Sequence, residues 1–374
     1  MFPRISYSLI STFRKELMGI AILWIFLFHS KIFFPAGFLF HPLRFLVSTG
    51  YGGVDLFFFL SGFGLMHHME TKYRSSSSFY KKRFITIYPS YFIATITTLV
   101  IDYFFFHNIS WQKIILCLTT TGFWLNNSSF YWFIPAVAAL YIAFPLFYKY
   151  YLRHNLILVI LLTAASVSTS VALVLTDNNH FIKIIARIPI FLIGSHINYI
   201  SLNTSSTLTK KDISLQITSF LLSFGTLLLL LLLSLNFDIK KYGLAYYIFT
   251  VGTLPLSLFI AIVLDTLSRM CTTGKNGLLF LLLSTCGTHS LEIYLIHKQI
   301  VFKVGEIFLA NIPLLADPHN SLNYGHYLEY IFYFIMTLFL ALPLHKLSAG
   351  IRSRINPSEK EPHDRIPSLT ISST

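Results

Sequence analysis

Charge is what this 374-residue chain has least of: only 11% of its residues are Asp, Glu, Lys or Arg, against roughly 25% in soluble domains. Together with 55% hydrophobic residues and a mean hydropathy of +0.66, this excludes a water-soluble globular fold and implies a polytopic membrane protein. Cysteine is scarce as well. Cys117, Cys271 and Cys286 are scattered, show no metal-ligand spacing and give no disulfide framework, so no metal site is expected. No internal repeat is visible. No small-residue cleavage site follows the first apolar run, which therefore reads as a retained spanning helix rather than a signal peptide.

What is present is apolar sequence from end to end. Runs of about 20 such residues predict an all-α bundle of ten transmembrane helices, near 17–35, 46–67, 84–105, 129–148, 155–175, 181–200, 213–236, 242–264, 277–301 and 325–347. They form one membrane unit, residues 1–350. A tail at 351–374, with Pro, Ser, Thr and mixed charge, is expected to be disordered. The segment 111–125, with Trp111 and Trp124, is too short for a span and suits an interfacial or re-entrant helix. Leu227 to Leu233 reads as lipid-facing filler. With the N-terminus in the cytoplasm, nineteen of the 28 basic residues fall in inside segments and eight outside, with Arg187 in a span. The asymmetry predicts a cytoplasmic-membrane protein with both termini inside; Lys240-Lys241 runs against it. The net charge of +13 is thereby explained without nucleic acid.

The stretch from Glu16 to Ser30, ELMGIAILWIFLFHS, presents one titratable side chain near its end, His29. Helix rise places it roughly 18 Å from the inner face. Asp55 in GGVDLFFFLSGF, Arg187 in ARIPIFLIG, and Glu292 and His297 in SLEIYLIH fall at similar depth. Ionisable groups facing lipid are expensive, so these five are expected to line one interior cavity, with Ser61 beside them. The competing reading is a buried ion-pair network, for instance Asp55 with Arg187. At the inner face, Lys81, Lys82 and Arg83 enter the third span in FYKKRFITIYP. Such cations hold phosphate groups or simply mark the inside. Tyr88 and Pro89 read as packing and a kink; His67 and His68 read as interfacial.

The segments GIAILWIFLFHS, GGVDLFFFLSGF, FYKKRFITIYPSYF, YWFIPAVAALYIAFP, RIPIFLIG and SLEIYLIH occur in the order seen in the membrane-bound acyltransferase-3 family, which the chain resembles from about residue 14 to 347. The resemblance implies a ten-helix bundle that transfers an acyl group, usually acetyl from acetyl-CoA, to a hydroxyl of a surface or lipid-linked carbohydrate. No bound cofactor is implied; acyl-CoA is a co-substrate. His29 matches the family's first-helix histidine and Arg83 the first arginine of its third-helix motif. Other family positions are altered: an expected arginine falls on Met18, the second motif arginine on Thr86, and paired acids on Val137 and Ala138.

The mechanism expected from this reading puts CoA phosphates on Lys82 and Arg83, with Lys81 assisting. His29 is then the general base, oriented by Asp55 or Glu292, and Arg187 stabilises the oxyanion. A covalent acyl-histidine is equally compatible. Trp111, Trp124, Tyr131 and Trp132 either stack on sugars or form an interfacial belt. A transporter or flippase of a lipid-linked glycan, and a non-catalytic membrane scaffold, are the rival classes. Oligomeric state is not legible.

Overall fold

The structure, a computed structural model, describes residues 6–30, 40–73, 75–125, 131–176, 179–203, 210–236, 244–271, 274–309 and 324–355. In chain order the helices are α1 (Ser8–Thr12), α2 (Arg14–Ser30), α3 (His41–Ser48), α4 (Gly52–Lys72), α5 (Ser76–Phe106), α6 (Trp111–Leu118), α7 (Thr121–Trp124) and α8 (Phe133–Leu175). They continue as α9 (Ile182–Ile185), α10 (Ile188–Asn203), α11 (Lys210–Asn236), α12 (Leu244–Met270), α13 (Leu278–Thr288), α14 (Ser290–Ile296), α15 (Lys303–Leu309) and α16 (Tyr324–Ile355). A π-helical turn, His297–Phe302, joins α14 to α15. Among the described residues the regular structure is all α, and the protein is an integral, multi-pass membrane protein.

Five of these helices are long and apolar enough to cross a bilayer, or up to seven if each of two bent pairs is one span. Two observations explain most of the difference from ten. The described part of α2 has 17 residues, and its expected continuation to residue 35 lies outside the described residues. Helix α8 runs for 43 residues, about 65 Å at 1.5 Å per residue, twice the hydrocarbon thickness. It contains the expected fourth and fifth spans, which meet at Asn155, where φ is 40° and ψ −120°. That left-handed break falls among the exposed Arg153, His154 and Asn155. Its ψ of −120° lies outside the left-handed α well that asparagine favours, so the break is strained there.

The expected second and ninth spans are bent rather than continuous: α3 meets α4 at 54°, and α13 meets α14 at 68°. Each break follows polar or small residues, Thr49-Gly50 and Gly287-Thr288-His289. At the second, His289 Nδ1 donates to the Thr285 carbonyl (2.9 Å), a local bond that caps the end of α13. Segment 111–125 forms only the short α6 and α7, too short to span. Helix α16 continues to Ile355, five residues past the expected boundary, and the tail beyond it lies outside the described residues.

In lipid, helices associate through close packing more than through hydrophobic burial, and here glycine supplies the contact. A Cβ on Gly62 would collide with the Phe191 carbonyl of α10, and one on Gly194 with the Phe59 carbonyl of α4. The same reciprocity joins α2 to α13, Gly19 against Leu283 and Gly287 against Lys15. Outside these seams the surface is apolar: Leu161 on α8 and Phe224 on α11 are 62% and 58% exposed.

Candidate active site

The last turn of α2 points His29 into the bundle, where it meets His297. The two rings are 3.0 Å apart from His29 Nδ1 to His297 Nε2. His297 is 1% exposed, and its Nδ1 lies 2.9 Å from the Ile293 carbonyl one turn earlier. A carbonyl can only accept, so the network assigns the His297 proton to Nδ1. Neutral His297 then offers a bare Nε2, and His29 donates to it from Nδ1. This leaves Nε2 of His29 as a free proton acceptor.

That nitrogen's ring lines a small, open-mouthed cleft of about 40 Å³ together with Tyr131, Trp132, Tyr294, His297, Lys298 and Gln299. Tyr294, His297 and Lys298 share one face at i, i+3 and i+4, and Gln299 follows in the π-helical turn. Such turns recur at functional sites. Tyr131 is held by its hydroxyl, 3.0 Å from Thr98 Oγ1.

Asp55 and Arg187 sit behind this wall, paired with each other. Arg187 Nη2 donates to Asp55 Oδ2 at 3.4 Å, and Nε lies 3.3 Å from Oδ1, an ionic contact without hydrogen-bond alignment. Exposure is 0% and 2%, so neither charge is solvated and each depends on the other. Nη1 donates to the Lys183 carbonyl (2.8 Å), and the guanidinium lies 5.2 Å from the Trp132 ring. Arg187 lies in the turn between α9 and α10, and Pro189, with no N–H to donate, stands in the first turn of α10. Neither residue lines the pocket. The geometry is that of the ion pair weighed against the catalytic reading.

Glu292, 2% exposed, is placed elsewhere again. Its Oε1 accepts from Ser90 Oγ (2.9 Å) and lies 3.2 Å from His345 Nδ1. The partner of His29 is thus His297, not Asp55 or Glu292, and the expectation of five ionisable groups around one cavity gives way to three separate pairings. Ser61 is buried on α4 but does not line the pocket. Of the aromatic residues, Tyr131 and Trp132 line it; Trp124 stacks on Phe181 (6.4 Å) and Trp111 is 81% exposed.

At the opposite end of α2, Arg14 donates to the Leu60 carbonyl through Nη2 (3.2 Å) and Nε (3.4 Å). It lies within electrostatic range of Arg83, whose guanidinium sits between the Phe79 and Tyr141 rings at 5.3 and 5.7 Å. Lys81 is exposed and Lys82 half-buried. These three cations do not open α5 as expected: the helix begins at Ser76, capped by Ser75 Oγ accepting from Ser78 N at 3.2 Å. Any anion there meets side chains, not the helix terminus. Arg14 was not singled out in the sequence, although it lies four residues before Met18 on the same helical face. Thr86, at the second arginine position, bonds back to the Lys82 carbonyl (2.8 Å).

No metal-binding cluster of three or more His, Cys, Asp or Glu occurs among the described residues. Among curated proteins and among solved structures, no relative matches the chain. A family model described as an acyltransferase domain matches residues 17–346, nearly the whole length and every residue of the pocket. The chain belongs to the acyltransferase-3 family and is a membrane acyltransferase.

Proposed function

We propose that this protein moves an acyl group, most simply acetyl, from acyl-CoA in the cytoplasm to a hydroxyl of a cell-surface or lipid-linked carbohydrate. It lies in the cytoplasmic membrane with both termini inside. One observation supports the chemistry above all: His29, fixed through Nδ1 by His297, presents Nε2 to a pocket rimmed by Trp132 and Tyr294. In direct transfer, Nε2 removes the hydroxyl proton as the oxygen attacks the thioester carbonyl. The carbon–sulfur bond then breaks, and the thiolate recovers the proton from His29 to leave as free CoA. The side-chain amide of Gln299 lines the same pocket and offers a donor to the carbonyl oxygen, a role that Arg187 is not free to take.

CoA phosphates are held at the other end of α2 by Arg83 and Arg14, with Lys82 and Lys81 nearby. From Arg14 to His29 the helix rises about 22 Å, a span for the extended pantetheine arm.

The test uses purified full-length protein, labelled acetyl-CoA and a panel of glycosides. Alkali-labile label on the glycoside is expected with wild type and lost with His29→Ala, whose folding is checked by thermal unfolding in detergent. Full activity in that variant overturns the assignment. Movement of a lipid-linked glycan across vesicles with no ester formed supports the transporter class instead.

A further inference from the structure

Basic residues at the His29 end of the bundle divide into two kinds. Lys113 and Lys303 close on Asp102: Lys113 Nζ is 2.8 Å from Oδ2, and Lys303 bonds Oδ1. Lys298 and Lys183 do not. Lys298 lines the pocket beside His29 and lies within electrostatic range of it. Lys183, on α9, lies within range of both Lys298 and Arg187. Both lysines are exposed, and among the described residues neither makes an ion pair. Asp55, which faces Arg187, is already closed on that guanidinium.

Two lysines with no ion-pair partner among the described residues leave a positive field at the mouth of a cleft lined by aromatic and imidazole rings. Such a field concentrates anions. The pocket's other contributions are a half-buried indole and tyrosine rings, surfaces that suit the carbon face of a sugar. Nothing in the acyl donor asks for positive charge here, because its phosphates lie about 22 Å away at the far end of α2.

We infer that the acceptor is an anionic carbohydrate, with a carboxylate or phosphate next to the reacting sugar ring, and that Lys298 and Lys183 select it. The inference rests on the acyltransfer reading for its reaction, but its binding step is measured separately. In the bound complex the anion lies on the Lys298 ammonium, the ring lies against Trp132, and a neighbouring hydroxyl faces His29 Nε2. Lys298 touches the substrate; Lys183 reinforces the field from the next helix.

The experiment uses full-length protein in a neutral detergent, so that no anionic lipid competes, with methyl glucuronide, its neutral methyl ester and glucose 1-phosphate as probes. Binding is followed by tryptophan fluorescence and transfer by labelled acetyl-CoA. Glucuronide or glucose 1-phosphate is expected to bind about tenfold or more tightly than the ester, equivalent to about 1.4 kcal/mol. The preference should fall toward one in Lys298→Gln/Lys183→Gln and persist in Lys298→Arg. Which of the two probes binds more tightly identifies carboxylate or phosphate. Equal binding of charged and neutral probes by wild type, or an unchanged preference in the double variant, overturns the inference, as does lysine-dependent affinity for anionic lipid vesicles but not for either sugar. Lysine-dependent binding without acetyl transfer sustains the inference and sinks the acyltransfer reading; transfer that ignores acceptor charge does the reverse.

Discussion

Replacing His297 tests how His29 is poised. In His297→Phe the ring volume stays while both nitrogen contacts go, the 2.9 Å bond to Ile293 and the 3.0 Å bond to His29. Loss of one hydrogen bond costs about 0.5–1.5 kcal/mol, up to about tenfold in rate. A base free to swing out of line costs about 100-fold. The expected fall in kcat therefore lies between about tenfold and about 100-fold. The KM for acyl-CoA should not move, since Arg14 lies about 22 Å away along α2, within range of Arg83. Two near-isosteres separate positioning from packing. The Gln amide oxygen reaches the place of Nε2 and accepts from His29, so His297→Gln recovers most of kcat. The Asn amide matches Nδ1 only, so His297→Asn keeps the bond to Ile293 and behaves like the Phe variant. Initial rates of labelled acetyl transfer at varied acetyl-CoA, with unfolding curves for each variant, decide the matter. Wild-type kcat in His297→Phe, or equal deficits in Gln and Asn, would refute the tautomer argument.

At the donor end, Arg83→Ala and Arg14→Ala should each raise the KM for acyl-CoA by about tenfold, the lower value for a charge-assisted hydrogen bond, with little change in kcat. An unchanged KM in both would reduce the cluster to a marker of membrane topology. For the buried pair, Asp55→Ala strands the Arg187 guanidinium and should cost about 3–5 kcal/mol, read as a large drop in melting temperature. The double variant Asp55→Leu/Arg187→Met should regain most of that loss. If Arg187→Met alone keeps wild-type stability but loses kcat, Arg187 belongs to the chemistry and not to the ion pair.

Much of the fold was legible because hydrocarbon imposes a simple demand: each crossing needs a long apolar run, and composition alone announces that. The positions of His29 and His297 were legible for a related reason, since an imidazole inside such a run has no cheap explanation. Which polar groups meet was legible only for Asp55 with Arg187, the competing reading; the His29–His297 and Glu292–His345 pairings were not. Asp55 and Glu292 both lie in the first turn of helices that begin at bends, α4 at 54° and α14 at 68° to the preceding helix. The positive end of the helix dipole favours a carboxylate there. Hydropathy does not register such bends, because the residues on either side are equally apolar. Depth along an assumed straight helix therefore merged three environments into one. Arg14 was missed for the opposite reason: it precedes the apolar run, where a cation reads as topology, and only the fold brings it beside Arg83.

In the proposed mechanism, helix α2 makes its two ends act as one site. It carries Arg14 in its first turn and His29 in its last, so the separation of donor anchor and base is set by helix rise and not by a loop. The helix is also clamped over that length. A Cβ at Gly53 of α4 would meet the Ala21 carbonyl, and Gly19 is pressed against the Leu283 carbonyl of α13, so backbone lies against backbone on two sides. Trp24 adds a bond from Nε1 to the Leu46 carbonyl at 2.6 Å. A rigid element with fixed ends holds a base to the tolerance that proximity catalysis requires. The same proposal bears on two of the altered family positions. Met18 and Thr86 both lie toward the proposed donor end, where Arg14 and Arg83, each one turn away, leave the proposed phosphate contact some slack. The His29 end allows no such slack, because a proton acceptor must be within hydrogen-bond reach of the hydroxyl it activates.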